Sequence, residues 1–226
     1  MIKDKLDKVL KEIKEISKEA ILVAVSKTKP IELLEEAYKA GQRDFGENKV
    51  QELEVKRKYF LEKGVNDIRW HLIGHLQSNK AKTAVLNADI FHCLDSVKLA
   101  RRINNLSKEF DKVMKVLIQV NSSGEEQKSG ISPKELKSFI EDCKDFDNIE
   151  IFGLMSIGKF NANPEDSRDE FKLMKSLYDS IENIDQENLK LEFLSMGMSN
   201  DYHIALEEGS NLVRVGSSIF GKRNYG

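Results

Sequence analysis

Cysteine is scarce in this chain: Cys93 and Cys143 are the only two among 226 residues. They form no C-x-x-C motif and no disulfide framework, which excludes a cystine-stapled secreted scaffold and fits a reduced, cytoplasmic setting. No apolar run approaches the roughly 20 residues a membrane span needs. The charged, amphipathic N-terminus does not have the pattern of a signal peptide. Neither sign of charge dominates, with 36 Lys and Arg against 38 Asp and Glu for a net charge of -2. A basic footprint for nucleic acid and a polybasic membrane patch are therefore both excluded. There is no H-E-x-x-H, and His71 and His75 have no evident third ligand, so no metal is expected. Flexible linkers, low-complexity tracts and sequence repeats are also missing.

What is present is an alternation. The apolar, β-branched run at 21–26 reads as a buried strand, and 44–47, 69–73, 90–93, 113–120, 150–155, 191–195 and 212–215 are further candidate strands. Helical patterns at 31–40, 49–61, 97–110, 133–144 and 164–184 lie between most of them. An additional opening helix places Ile2, Leu6, Val9, Leu10, Ile13 and Ile16 on one face. Eight strands with intervening helices predict an α/β fold, a single (β/α)8 barrel of the TIM type over residues 1–226 with an extra N-terminal helix.

Barrels of this kind place their chemistry at the carboxyl ends of the strands. Lys27 stands at the end of the first strand and shares parity with Val23 and Val25, so it is expected to point inward at the barrel mouth. A partly desolvated lysine there can form a Schiff base with an aldehyde. The structural alternative is an ordinary solvated lysine. After the seventh strand comes Gly197-Met198-Ser199, and after the eighth Gly216-Ser217-Ser218. Loops after strands 7 and 8 are a recurring phosphate site, and a helix starting at Ser217 would aim its positive end at the anion. Ser199 is also placed to cap the next helix. An amine and a phosphate cradle together suggest pyridoxal 5'-phosphate.

Arg214, inside an apolar strand, needs a partner. Either it pairs with an internal carboxylate such as Glu47, or it donates to the pyridine nitrogen of the cofactor, keeping that nitrogen unprotonated and the ring a weak electron sink. Asn48 either hydrogen-bonds the ring hydroxyl or caps the following helix. Ser78 or Asn79 is expected to cap the helix carrying Lys80 and Lys82. Lys128 lies in a loop on the same face and reads as solvated, with a secondary ligand contact as its alternative.

Taken together, Ala24-Val25-Ser26-Lys27-Thr28-Lys29-Pro30, Phe45-Gly46-Glu47-Asn48, Ile73-Gly74-His75-Leu76-Gln77-Ser78-Asn79-Lys80, Gly197-Met198-Ser199 and Val213-Arg214-Val215-Gly216 with Ile219-Phe220-Gly221 resemble the pyridoxal-phosphate homeostasis protein family, relatives of the N-terminal barrel domain of alanine racemase. The resemblance spans about Leu22 to Gly221. It implies an alanine-racemase-type barrel, with Lys27 carrying pyridoxal 5'-phosphate as an internal aldimine. Ser199, Gly216 and Ser217 would hold the phosphate, Arg214 would face the pyridine nitrogen and Asn48 the ring hydroxyl. Ser217 stands where many members have threonine, and the hydroxyl survives. The implied function is holding the cofactor, in vitamin B6 homeostasis and amino and keto acid balance, with no dedicated catalytic residue. Pyridoxal-phosphate-dependent apoenzymes are the implied recipients.

Two enzymatic alternatives remain. An amino-acid racemase would need a second acid/base, supplied in alanine racemases by a tyrosine of a further domain. That domain is expected to be absent here, which leaves only Tyr225 and also favours a monomer. A sugar-phosphate isomerase would use the same cradle with Glu47 as base.

Overall fold

The computed structural model describes residues 1–125, 127–159 and 161–221. Eight parallel strands close into one barrel in sequence order: β1 Ile21–Val25, β2 Asp44–Glu47, β3 Arg69–Leu72, β4 Ile90–Leu94, β5 Met114–Val120, β6 Ile149–Ser156, β7 Leu189–Met198 and β8 Leu212–Val215. β8 returns to β1, pairing Val23 with Arg214 and Ala24 with Val215. Closure leaves no sheet edge unpaired, which strands this apolar require.

The helices are α1 Ile2–Ile16, α2 Ile31–Lys39, α3 Val50–Glu62, α4 Ala81–Asn87, α5 Val97–Glu109, α6 Leu136–Asp142, α7 Arg168–Asp179, α8 Tyr202–Glu207 and α9 Ser217–Phe220. The predicted helix at 133–144 opens as a 3-10 turn, Pro133–Glu135, before α6. The one at 164–184 likewise begins with a 3-10 turn and ends at Asp179, although Ile181 beyond it is still buried. Prolines fix φ at these starts and lack an N–H to donate, so the first turn tightens. Ser78 and Asn79 lie inside a 3-10 turn, and neither caps α4.

α1 buries Ile2, Leu6, Val9 and Ile13 against α2, α8 and α9. Ile16, expected on that face, is exposed in the last turn. β7 runs further than its sequence signal. Gly197 looks like a strand breaker, but it continues the strand at φ +90, and a Cβ there would sit 2.5 Å from the Ala205 Cβ of α8. Only glycine allows both that dihedral and that approach.

Two apolar layers result. One lies between strands and helices, with Phe45, Trp70, Leu72, Phe91, Ile118, Leu154 and Val213 among its members. The other fills the barrel with Val23, Ile90, Leu117, Phe152, Met155, Phe193 and Leu212. Val23 lies inside the barrel, as its parity in β1 predicts. No helix among the described residues is long and apolar enough to cross a membrane.

Candidate functional site

A cavity of about 630 Å³ opens at the carboxyl ends of the strands, lined by Lys27, Asn48, Ser199, Arg214, Gly216 and Ser217 together. Its size is that of a small-molecule site, roughly 300–1,000 Å³. All six positions singled out in the sequence therefore converge on one space, although they come from four loops and strand ends.

Lys27 is half-buried, in the turn that follows β1. That turn is fastened on both sides. Ser26 N–H donates to the Gly46 carbonyl at 3.0 Å, and Lys29 N–H closes back on the Ser26 carbonyl at 3.0 Å. Thr28 adopts φ +62, a strained value for a β-branched residue. Its N–H donates to Glu52 Oε2 of α3 at 2.7 Å, which offsets the strain. Lys29 Nζ reaches the Gly221 carbonyl at 2.9 Å.

Beneath the turn lies an ion pair with no counterpart in the sequence reading. Lys56 Nζ donates to Glu47 Oε1 at 2.6 Å and to the Ser26 carbonyl at 2.8 Å, and Ser26 Oγ also donates to Glu47 Oε1 at 2.6 Å. Burial raises the Glu47 pKa, while Lys56 pulls it back. Two expectations fall here. Glu47 is fully buried under the Lys27 turn, bound to Lys56, so it is neither the partner of Arg214 nor a base at the mouth. Position 56 reads in the sequence as one more lysine on a solvated helix. Only the fold shows that it turns inward.

Arg214 is buried. Its Nη1 donates to Ser195 Oγ at 2.5 Å and its Nη2 to the Ser156 carbonyl at 2.7 Å. Burial depresses its pKa to about 10, with Asp201 acting in the opposite sense. Asp201, which the sequence reading missed, lines the cavity too. Burial raises its pKa, against the Met198 N–H donated to Oδ1 at 2.7 Å.

Ser199 does not cap α8, whose N-cap is Asp201. Its Oγ instead accepts the Gly216 N–H at 3.1 Å, tying the loops after β7 and β8 together. Having accepted that bond, the hydroxyl keeps its own proton to donate. Ser217 is exposed and opens α9. Asn48 is not a cap, since Lys49 precedes α3. Its backbone is pressed against Gly74, where a Cβ would fall 2.3 Å from the Asn48 carbonyl, which accounts for glycine there.

Lys128 was expected to be solvated. It is instead paired with Glu125 Oε2 at 2.5 Å, bonded to the Gly158 carbonyl at 3.1 Å, and lines the cavity. His75 is exposed beside Asp95, whereas His71 is buried in the barrel. No cluster of three or more metal-ligating side chains occurs among the described residues. Tyr225 lies outside them.

Comparison with known proteins gives a consistent result. Residues 3–224 match the family model for the alanine racemase N-terminal domain. A pyridoxal phosphate homeostasis protein of Aquifex aeolicus is 40% identical over 206 residues, covering 91% of this chain and 88% of that protein. Its counterpart in Haemophilus influenzae is 39% identical, covering 100% and 94%. Among solved structures, PipY of Synechococcus elongatus with pyridoxal phosphate bound superposes with a TM-score of 0.87 at 32% identity, covering 98% of this chain and 100% of that one. An alanine racemase of Clostridium difficile superposes with a TM-score of 0.76 at 17% identity, over 60% of its own length, a likeness of fold alone.

Proposed function

The chain belongs to the pyridoxal phosphate homeostasis protein family, and from that premise we propose that it holds pyridoxal 5'-phosphate at Lys27 and serves the balance of vitamin B6 forms and of amino and keto acids, without a dedicated reaction of its own. The observation that carries this reading is the convergence of Lys27, Asn48, Ser199, Arg214, Gly216 and Ser217 on one cavity.

The donor set fits the group. The cavity offers an amine, a guanidinium, an amide, two serine hydroxyls and the loops after β7 and β8, which suits a phosphorylated aldehyde with a basic ring nitrogen. The bound cofactor supplies an aldehyde that condenses reversibly with amines. Lys27 is the residue that would hold it covalently. Ser199, Gly216 and Ser217 would take the phosphate, Asn48 the ring hydroxyl and Arg214 the ring nitrogen. An arginine facing that nitrogen favours its unprotonated form and weakens the ring as an electron sink, which suits retention better than turnover. A competing amine then releases the cofactor to apoenzymes. In the same reading, residues 1–226 form one domain that works as a monomer in the cytoplasm.

Against the racemase alternative stand the curated relatives, which are homeostasis proteins. The test pairs retention of pyridoxal phosphate through dialysis with α-proton exchange of amino acids in deuterated water. The expected result is retention, with exchange no faster than that promoted by free pyridoxal phosphate. Sustained, saturable exchange would establish a racemase instead.

A further inference from the structure

The barrel interior is not apolar throughout. A file of buried polar side chains crosses it. Arg69 at the start of β3 donates from Nη2 to Asp44 Oδ2 on β2 at 2.8 Å, and its Nε forms an ion pair with Oδ1 at 2.7 Å. His71 Nε2 lies 2.9 Å from Asp44 Oδ1, His71 Nδ1 lies 2.9 Å from His92 Nε2, and His92 Nδ1 lies 3.1 Å from Ser195 Oγ. Ser195 then accepts from Arg214. His92 on β4 and Ser195 on β7 belong to strands that do not pair, so this link spans the barrel. His71, His92, Ser195 and Arg214 are all buried.

The two ends set the direction of the outer bonds, and one arrangement satisfies every link between them. Arg214 can only donate, and an ionised Asp44 can only accept. In that arrangement Ser195 Oγ, having accepted from Arg214, gives its proton to His92 Nδ1. His92 must then carry its proton on Nε2 and donate to His71 Nδ1, and His71 carries its proton on Nε2 and donates to Asp44. Each link then has one donor and one acceptor. Burial above all depresses the His92 pKa, in keeping with a neutral His92 ring. The charged groups facing the file are Asp44 and Arg69 at one end and Arg214 and Asp201 at the other.

We propose that His92, acting through Ser195, is a positioning residue that orients Arg214 at the barrel mouth, as the middle of a one-way hydrogen-bond file running to Asp44. Two N–H donors of Arg214 are committed to Ser195 and Ser156, and the others are left for the cavity that Arg214 lines. What those donors meet rests on the cofactor reading given above. The file itself does not.

The test is nitrogen-15 NMR of the protein stripped of ligand, near neutral pH. The expected spectrum shows His71 and His92 both as Nε2–H tautomers, with slowly exchanging guanidinium protons on Arg214. In His92→Phe those protons should exchange roughly tenfold faster or more, the factor expected for one lost hydrogen bond. His92→Asn, whose side-chain oxygen can replace Nδ1 as acceptor, should restore protection. A His92 Nδ1–H tautomer in the unaltered protein would overturn the proposal without recourse to any variant, as would unchanged Arg214 exchange in His92→Phe. Failure to take up pyridoxal phosphate while the tautomers are as expected would refute the cofactor reading and leave the file standing.

Discussion

Lys56 and Glu47 form a buried pair beneath the turn that carries Lys27, and the attraction between them has to offset the desolvation of both. Replacing one partner strands the other. Lys56→Met is expected to cost about 3–5 kcal/mol near neutral pH, the usual range for breaking a buried pair. The cost should shrink on acidification, because Glu47 escapes by taking a proton. The sign follows from its raised pKa. A carboxyl easier to protonate in the folded state than at its ordinary 4.5 weakens folding wherever it is ionised, and recovers stability as pH falls through the folded value. Asp44 acts oppositely. Although burial pulls its pKa up, bonds from His71 and Arg69 outweigh it and hold it below 3.8, so its contribution is present above that value and is lost as pH falls through the folded one. Urea denaturation of Lys56→Met across a pH series checks this, and a cost independent of pH would contradict it. The pair also marks where sequence reading fails. Lys56 belongs to a helix with many charges, and nothing local separates a buried lysine from a solvated one. Lys27, Arg214 and the two glycine–serine turns were legible because strand ends and apolar strand contexts give charged residues few ordinary explanations.

Strands were read more accurately than the helices that pack on them. β2 and β8 have the bounds their short strand signals predict, Asp44–Glu47 and Leu212–Val215, and every residue in both is buried. β7 was under-read at Gly197, whose conformation is set by contact with α8 and not by its neighbours in sequence. α8 and α9, of 6 and 4 residues, are too short for periodicity to register. α1 is the clearest periodic element, and its contribution can be measured directly. Leu6 is fully buried against the barrel's outer layer, so Leu6→Ala should destabilise the fold by about 3 kcal/mol, within the range for cavity-forming substitutions. Cofactor retention should be unchanged under conditions where the variant is folded, because α1 does not line the cavity. A denaturant midpoint equal to that of the unaltered protein would show α1 to be peripheral.

The molecule divides its labour along the barrel. Apolar layers inside and outside the sheet close it, and the loops at the carboxyl ends hold the chemistry. Because the ligand engages only the folded barrel, saturation should raise stability by about 2.7 kcal/mol at a hundredfold excess over Kd, read as an upward shift of the thermal midpoint. Pyridoxal, which lacks the phosphate, should give a smaller shift, and equal shifts would contradict the phosphate cradle proposed at Ser199, Gly216 and Ser217. The central claim is that Lys27 is the point of attachment. The measurement is borohydride reduction of the protein incubated with pyridoxal 5'-phosphate, followed by peptide mass mapping beside Lys27→Ala. The account predicts a yellow protein, a phosphopyridoxyl adduct on Lys27, and loss of both colour and adduct in the variant. A protein that stays colourless and unmodified, or a variant that keeps the same visible band, would contradict it.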